Sequence, residues 1–364
     1  MSRAEGGRVA VIPFPYYGGL QSFALELAWR TGTPVVALGR GRVPGEVGGV
    51  RIAWAGGGLT IFRAPIPLPG EAARLASHAG AYRLIHLHGP FPGGEDVVST
   101  VSRCLLYTYH FDVEMVNPLA RAAGLVYEVW LRRLLSRKAC LVTASTMAFA
   151  ESSRVLRPLL REGKVEILPL GVDASSLEPR PEYEDYVSFA GRIIPEKGVH
   201  VLIRALARLR ERGVRLRAEI VGRPVDPDYY MALHRLAGRL GVHARFHGFL
   251  PRRRMLEIIG GSTVHVLPST TRLESFGIVL LEAGSLARPL VATRAIPGAV
   301  ELIARSRGGI LSNPGDPDSL ADAIEEAASD PKGYGSRARR YILEYHDWPR
   351  VVEKALEIYR VLEE

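Results

Sequence analysis

Residues 267–286 read LPSTTRLESFGIVLLEAGSL, and the reading of the whole chain starts from them. The residues just before, Thr263 to Pro268 (TVHVLP), alternate like a strand and run into a Pro-Ser-Thr loop. After the loop, Ser275-Phe276-Gly277 opens an apolar stretch that reads as a helix. The order is therefore strand, loop, helix, with Glu274 before the helix and Glu282 about two turns into it. The first N–H groups of a helix lack intrahelical partners, so those near Ser275, Phe276 and Gly277 form a candidate anion site. Acidic residues near a helix start also suit the helix dipole, so this spacing alone keeps both readings open.

A second element of the same kind lies upstream. Phe189 to Val199 reads FAGRIIPEKGV, follows a strand-like stretch and precedes the helical pattern VHVLIRALARLRERG. Its loop holds Gly191, Arg192 and Lys197. Arg192 and Lys197 are close enough in sequence to reach one phosphate, the first with a planar fork of donors and the second as a compact charge. By itself, a loop lysine is as easily a solvated one. Together, the cations, the helix start and the two carboxylates suit a sugar diphosphate carrying hydroxyls at both ends.

Taken in this order, about 80 residues apart, the two elements resemble those of the retaining glycosyltransferases of family four. The resemblance continues through Tyr16-Tyr17-Gly18-Gly19, Ile85-His86-Leu87-His88-Gly89 and Tyr107-Thr108-Tyr109-His110. It also takes in Leu141-Val142-Thr143-Ala144-Ser145, Leu168-Pro169-Leu170-Gly171-Val172-Asp173 and the closing stretch Tyr345 to Leu362. RLESFG and the surroundings of YTYHFDVEM look most like bacterial and archaeal enzymes of surface-glycan synthesis, many of them mannosyltransferases.

The resemblance implies an α/β chain of GT-B fold, with two Rossmann-like doubly wound parallel-sheet domains facing a cleft. Residues 1–172 would be the acceptor-side domain and 173–345 the nucleotide-sugar domain, with 346–364 a helix crossing back. The implied reaction is retaining transfer of a hexose, of mannose or glucose type, from a UDP- or GDP-sugar to a glycan or lipid-linked acceptor. No metal or other cofactor is implied. Carried over residue by residue, Arg192 and Lys197 would neutralise the leaving diphosphate, and Glu274 would hold hydroxyls of the transferred sugar. Ser275, Phe276 and Gly277 would offer backbone donors, Glu282 would grip the ribose, and His110 would touch the sugar from the acceptor side. Gly18, Gly19, Gly191 and Gly222 would let backbone approach the donor. The alternatives are a same-fold epimerase or glucan synthase, or a non-catalytic partner that binds nucleotide sugar or anionic lipid.

Departures from the family pattern are local. Arg288 stands in AGSLARPL where glycine is usual. The loop RAIPGAVE lacks a frequent double glycine but keeps Gly298 and Glu301. Gly89 to Asp96 (GPFPGGED) is also unusual and is expected on the acceptor side.

Composition fits two domains: 364 residues exceed one ordinary core, and 47% hydrophobic with 23% charged residues is globular. No apolar run approaches the ~20 residues of a membrane helix, and the N-terminus lacks a signal-peptide pattern. Cys104 and Cys140 match no zinc spacing and point to a reducing compartment, hence a cytoplasmic protein, with a peripheral place on the inner face of the cell membrane as the further expectation. Net charge is +9, and residues 1–172 carry 19 basic against 12 acidic side chains. Arg132, Arg133, Arg137 and Lys138 cluster in the amphipathic stretch LVYEVWLRRLLSRKACL, which reads as a solvated helix face or as a contact for an anionic membrane surface. No nucleic-acid module is present, so nucleic acid is not an expected partner.

Strand and helix patterns alternate throughout, which implies mainly parallel sheets. Asp226-Pro227-Asp228 and Asp316-Pro317-Asp318 imitate a metal-binding Asp-x-Asp motif. Both precede helical patterns, where Asp followed by Pro is a helix cap and first residue. His86 and His88 alternate within a strand, with core, turn and ligand-facing roles all open. Arg252, Arg253 and Arg254 open a helix against its dipole, either solvated or holding an anion.

Overall fold

A parallel strand needs a long crossover, and the helix that supplies it covers the sheet face, so parallel strands are apolar on both sides. The sequence follows this rule. All six residues of Ser262–Leu267 are buried, as are five of the six in Arg8–Pro13. The computed structural model describes residues 7–13, 19–39, 46–47, 49–61, 64–113, 118–272 and 274–364. The chain forms two compact units, Met1–Leu170 with Pro349–Glu364, and Gly171–Trp348.

The strands of the first unit are β1 (Arg8–Pro13), β2 (Val35–Leu38), β3 (Glu46–Val47), β4 (Val50–Gly56), β5 (Leu59–Ile61), β6 (Ala64–Ile66), β7 (Leu84–Gly89), β8 (Cys104–Tyr109), β9 (Ala139–Ala144) and β10 (Val165–Ile167). Its helices are α1 (Gly19–Arg30), α2 (Pro69–Ala79), α3 (Gly94–Val101), α4 (Pro118–Lys138), α5 (Met147–Ser152) and α6 (Leu156–Arg161). The main sheet runs β10-β9-β8-β7-β1-β2-β4-β3 and is parallel except at β3. Helix α3 arises within the GPFPGGED segment, which carried no helix expectation. Its N-cap is Gly93 in the left-handed region, without a side-chain cap. Gly18 lies outside the described residues, and Gly19 is the exposed first residue of α1.

The second unit holds β11 (Glu184–Ala190), α7 (Val199–Glu211), β12 (Arg217–Val221), α8 (Pro227–Leu240), β13 (Ala244–Gly248), α9 (Arg252–Gly261), β14 (Ser262–Leu267) and α10 (Ile278–Ser285). It continues with β15 (Leu290–Thr293), α11 (Pro297–Ser306), β16 (Gly309–Ser312), α12 (Pro317–Ser329), α13 (Pro331–Tyr345) and the first residue of α14 (Trp348–Glu363). Its sheet, β13-β12-β11-β14-β15-β16, is parallel throughout. Asp226 and Asp316 are N-caps: each accepts bonds from two first-turn N–H groups at 3.0–3.1 Å, with proline as the first helical residue.

The remainder of α14 belongs to the first unit. Tyr359 hydroxyl lies 2.8 Å from His86 Nδ1, and Arg8 pairs with Glu363 at 2.9 Å. Cys104 and Cys140, on the neighbouring strands β8 and β9, are joined as a disulfide. The fold brings the two cysteines together on neighbouring strands, a relation that their spacing in sequence does not show. On α4, Leu131 and Leu135 face the core while Arg133, Arg137 and Lys138 are exposed.

Candidate functional site

The strand order of the second unit reverses between β11 and β14: the sheet grows to β12 and β13 on one side and to β15 and β16 on the other. Helix α7 packs with α8 and α12, whereas α10 packs with α9 and α13, so the helices that follow β11 and β14 join different groups of helices. Ligands of open α/β sheets sit at such a reversal, beyond the carboxyl ends of the strands. Both sequence elements singled out above are these two loops.

Glycines let the strand ends close up. Gly191 donates to Val221 at 3.0 Å and Gly222 to Gly248 at 2.8 Å, which sets three glycines side by side at the ends of β11, β12 and β13. Gly222 has φ 153°, and a Cβ there would lie 1.7 Å from the Gly191 carbonyl oxygen. No side chain fits that contact. Gly198, at φ 71°, would set a Cβ 1.9 Å from the Pro268 carbonyl oxygen, and Thr270 donates to the Glu196 carbonyl at 2.8 Å. The β11 and β14 loops are thereby pinned to each other.

That pinning joins Lys197, at the end of a 3₁₀ turn (Pro195–Lys197), to Glu274 in an ion pair. Glu274 also accepts the Gly277 N–H on its other oxygen at 3.1 Å. The expected free N–H at Gly277 is thus occupied. Gly277 is the left-handed N-cap residue, α10 starts only at Ile278, and the carboxylate three residues back holds the N–H of that N-cap residue rather than one of the first turn. Phe276 is buried, with its ring 5.6 Å from His346 and in close packing with Gly298, while Ser275 carbonyl accepts the Gly298 N–H at 2.9 Å. The Gly298 of the family pattern is therefore the seat for Phe276.

Burial, reinforced by Arg192, pulls the Lys197 ammonium down to about 8. At that value the ammonium is still mostly charged at neutral pH. Arg192 itself is exposed. If the ammonium is the needed form, kcat/KM stays level below pH 8 and falls as the pH rises through about 8. A pH–rate profile of the free enzyme checks this; a level profile to pH 9.5, an upper limit about 1.5 units above that value, contradicts it.

Glu282 lies in the second turn of α10 with its side chain 11% exposed, and Arg252 Nε meets its Oε1 at 2.9 Å. Burial pushes this carboxyl up and Arg252 opposes it. The arginine triplet is therefore neither simply solvated nor a single cluster: Arg253 and Arg254 pair with Glu257 in their own helix, and Arg252 reaches across to α10. Three cations at a helix start were a signal that one needed an outside partner, but not which.

In the first unit, His110 follows β8 and is buried, with Nε2 3.1 Å from His88 Nδ1. His86 is buried between Tyr359 and Thr108. Burial lowers His86 and His110 to about 3, so both are neutral at physiological pH. His86 and His88 are core residues, and His88 engages one ring nitrogen of the sugar-contact candidate His110.

The family model for glycosyl transferases group 1 matches residues 176–344. The second unit is a glycosyl transferases group 1 domain. Glycogen synthase of Mycobacterium tuberculosis is 28% identical over 269 residues, 68% of this chain and 63% of that protein. The GDP-mannose-dependent alpha-(1-6)-phosphatidylinositol monomannoside mannosyltransferase of Mycolicibacterium smegmatis is 31% identical over 206 residues, 50% of this chain and 53% of that protein. The chain thus spans about half to two thirds of the length of these relatives. Among solved structures, Anabaena Alr3699/HepE in complex with UDP superposes with TM-score 0.78 at 20% identity, over 98% of this chain and all of that one. The fold is α/β of the GT-B class. The loops carrying Arg192, Lys197, Glu274 and Glu282 all belong to the glycosyl transferases group 1 domain.

Proposed function

We propose that the chain is a retaining, metal-independent glycosyltransferase that moves a hexose of mannose or glucose type from a UDP- or GDP-sugar to a glycan or lipid-linked acceptor. The observation that carries this reading is the Lys197–Glu274 pair, set at the reversal of the strand order beside Gly191 and Gly222. As a glycosidic bond to diphosphate breaks, negative charge grows on the departing phosphate. Fixed cations at Lys197 and Arg192 stabilise that state more than the ground state. Glu274 holds hydroxyls of the transferred sugar, and the leaving phosphate takes the acceptor's proton during front-face attack, which retains configuration. No carboxylate is assigned as nucleophile.

The relatives support both hexose types by name, glycogen synthase on one side and a GDP-mannose-dependent mannosyltransferase on the other. HepE structures with UDP and with UDP-glucose support a nucleotide-sugar donor. Thermal unfolding with UDP, GDP, ADP and their sugar conjugates tests the donor. A nucleotide at one hundred times its Kd adds about 2.7 kcal/mol, and one base is expected to give a clear upward shift. No shift with any of them would remove the donor site and favour a non-catalytic partner.

A lipid-linked acceptor finds support on α4. Leu125, Val126 and Val129 are 42%, 71% and 43% exposed, and the exposed Arg133, Arg137 and Lys138 follow on the same helix. Apolar side chains next to cations suit the interface of an anionic bilayer. No helix among the described residues is long and apolar enough to cross one. Sedimentation with phosphatidylglycerol vesicles is expected to pull the protein down at low salt and release it at high salt. Equal recovery with neutral vesicles counts against this acceptor.

A further inference from the structure

Positive charge at a helix start is opposed by the helix dipole, so three consecutive arginines opening α9 call for a reason. Two find it within the helix, since Arg253 and Arg254 bond Glu257 at 3.2 and 2.6 Å and both extend into solvent. Arg252 alone leaves its helix and bonds Glu282 of α10.

The geometry of that contact is one-sided. Arg252 Nε meets Oε1 only, while Oε2 has no hydrogen bond to the described residues and is not sealed from solvent. A carboxylate oxygen accepts two bonds. Oε2 and the second lone pair of Oε1 are thus left for a ligand, on a side chain that is otherwise enclosed.

We infer that Arg252 is a positioning residue for the donor nucleotide: it anchors Glu282 through Oε1 so that the carboxylate presents Oε2 to the vicinal hydroxyls of a ribose. The inference rests on the reading of Glu282 as the ribose-gripping residue. The electrostatics agree with the geometry. Burial favours the neutral form of Glu282, and Arg252 is the opposing charge among the described residues. Without it, a nearly buried carboxylate has no counter-charge, and its neutral form accepts hydrogen bonds from hydroxyls less well. Arg252 is itself 52% exposed, so its replacement leaves the packing of the unit alone. The opposite role is physically distinct: an arginine that merely occupied Glu282 would compete with ribose, and removing it would tighten binding.

Calorimetric titration of UDP, GDP and ADP into Arg252→Met, Arg252→Lys, Glu282→Gln and the unaltered protein separates these cases. Arg252→Met is expected to weaken binding of the preferred nucleotide by about tenfold, to raise KM for its sugar conjugate similarly, and to leave kcat and the unfolding midpoint nearly unchanged. Arg252→Lys, which keeps the charge, restores most of the loss. Equal or tighter binding by Arg252→Met, with Glu282→Gln weakened, overturns the role of Arg252 alone. Undiminished binding by Glu282→Gln overturns the ribose reading beneath it.

Discussion

Lys197→Ala is expected to slow glycosyl transfer by about 10²–10³-fold while changing nucleoside diphosphate affinity only several-fold. The two effects separate because the lysine matters most when charge has moved to the departing phosphate. In the proposed donor complex, Arg192 would still face part of the same charge. Removing the lysine also leaves Glu274 with the Gly277 N–H as its remaining partner among the described residues. On the proposed reading, some of the loss would therefore come from a less well-placed Glu274. Lys197→Arg restores the charge with a longer, planar group and should recover only part of the rate. Single-turnover rates with the donor identified by thermal shift, paired with calorimetric affinities, check the prediction. A transfer rate within threefold of the unaltered protein, well below the range expected for a lost transition-state contact, would falsify the phosphate-neutralising role.

Arg288→Ala should be the most destabilising of the single changes considered, by about 3–5 kcal/mol. Arg288 is fully buried, where the family pattern has glycine. Its guanidinium donates to the carbonyls of Leu286 at 3.1 Å, Glu182 at 3.2 Å and Ser262 at 3.3 Å, and also to that of Arg180. It lies 4.1 Å from the centre of the Tyr183 ring. One side chain thus ties the segment entering β11 to the start of β14 and the end of α10. Alanine would leave a cavity and several carbonyls without donors. For a unit of this size the loss corresponds to a drop of roughly 10 °C in midpoint, measurable by thermal or urea unfolding. Arg288→Met fills the space without the donors and should lie between the two. A fall of less than 1 kcal/mol for Arg288→Ala, about the average single mutation, would mean that water replaces these bonds at little cost.

What could be read from the chain follows the range of the interactions concerned. Asp226 and Asp316 were legible as caps because a cap joins residues two or three apart. The alternation of strands and helices was legible because a parallel strand buried on both faces, as in β1 and β8, is an apolar run. Helix α3 was not, since its start at Gly93 has no capping side chain, and α4 begins at Pro118, before the apolar periodicity that marks it. The loops of the site were recognised from their residue types, but their internal partners were not. Lys197 and Glu274 are 77 positions apart, Arg252 and Glu282 are 30 apart, and Cys104 and Cys140 are 36 apart.

By itself, the sequence determined an alternating α/β chain, the two cationic and acidic loops, and the residue types available to a nucleotide sugar. Those properties come from periodicity, propensity and side-chain chemistry, which act over a few residues. The tertiary structure alone decided that Lys197 rests on Glu274, that Glu274 takes the Gly277 N–H, that Arg252 bonds Glu282, and that Arg288 serves the core. Each depends on which strands become neighbours, and strand order is settled by packing across the whole unit rather than by any local stretch of residues.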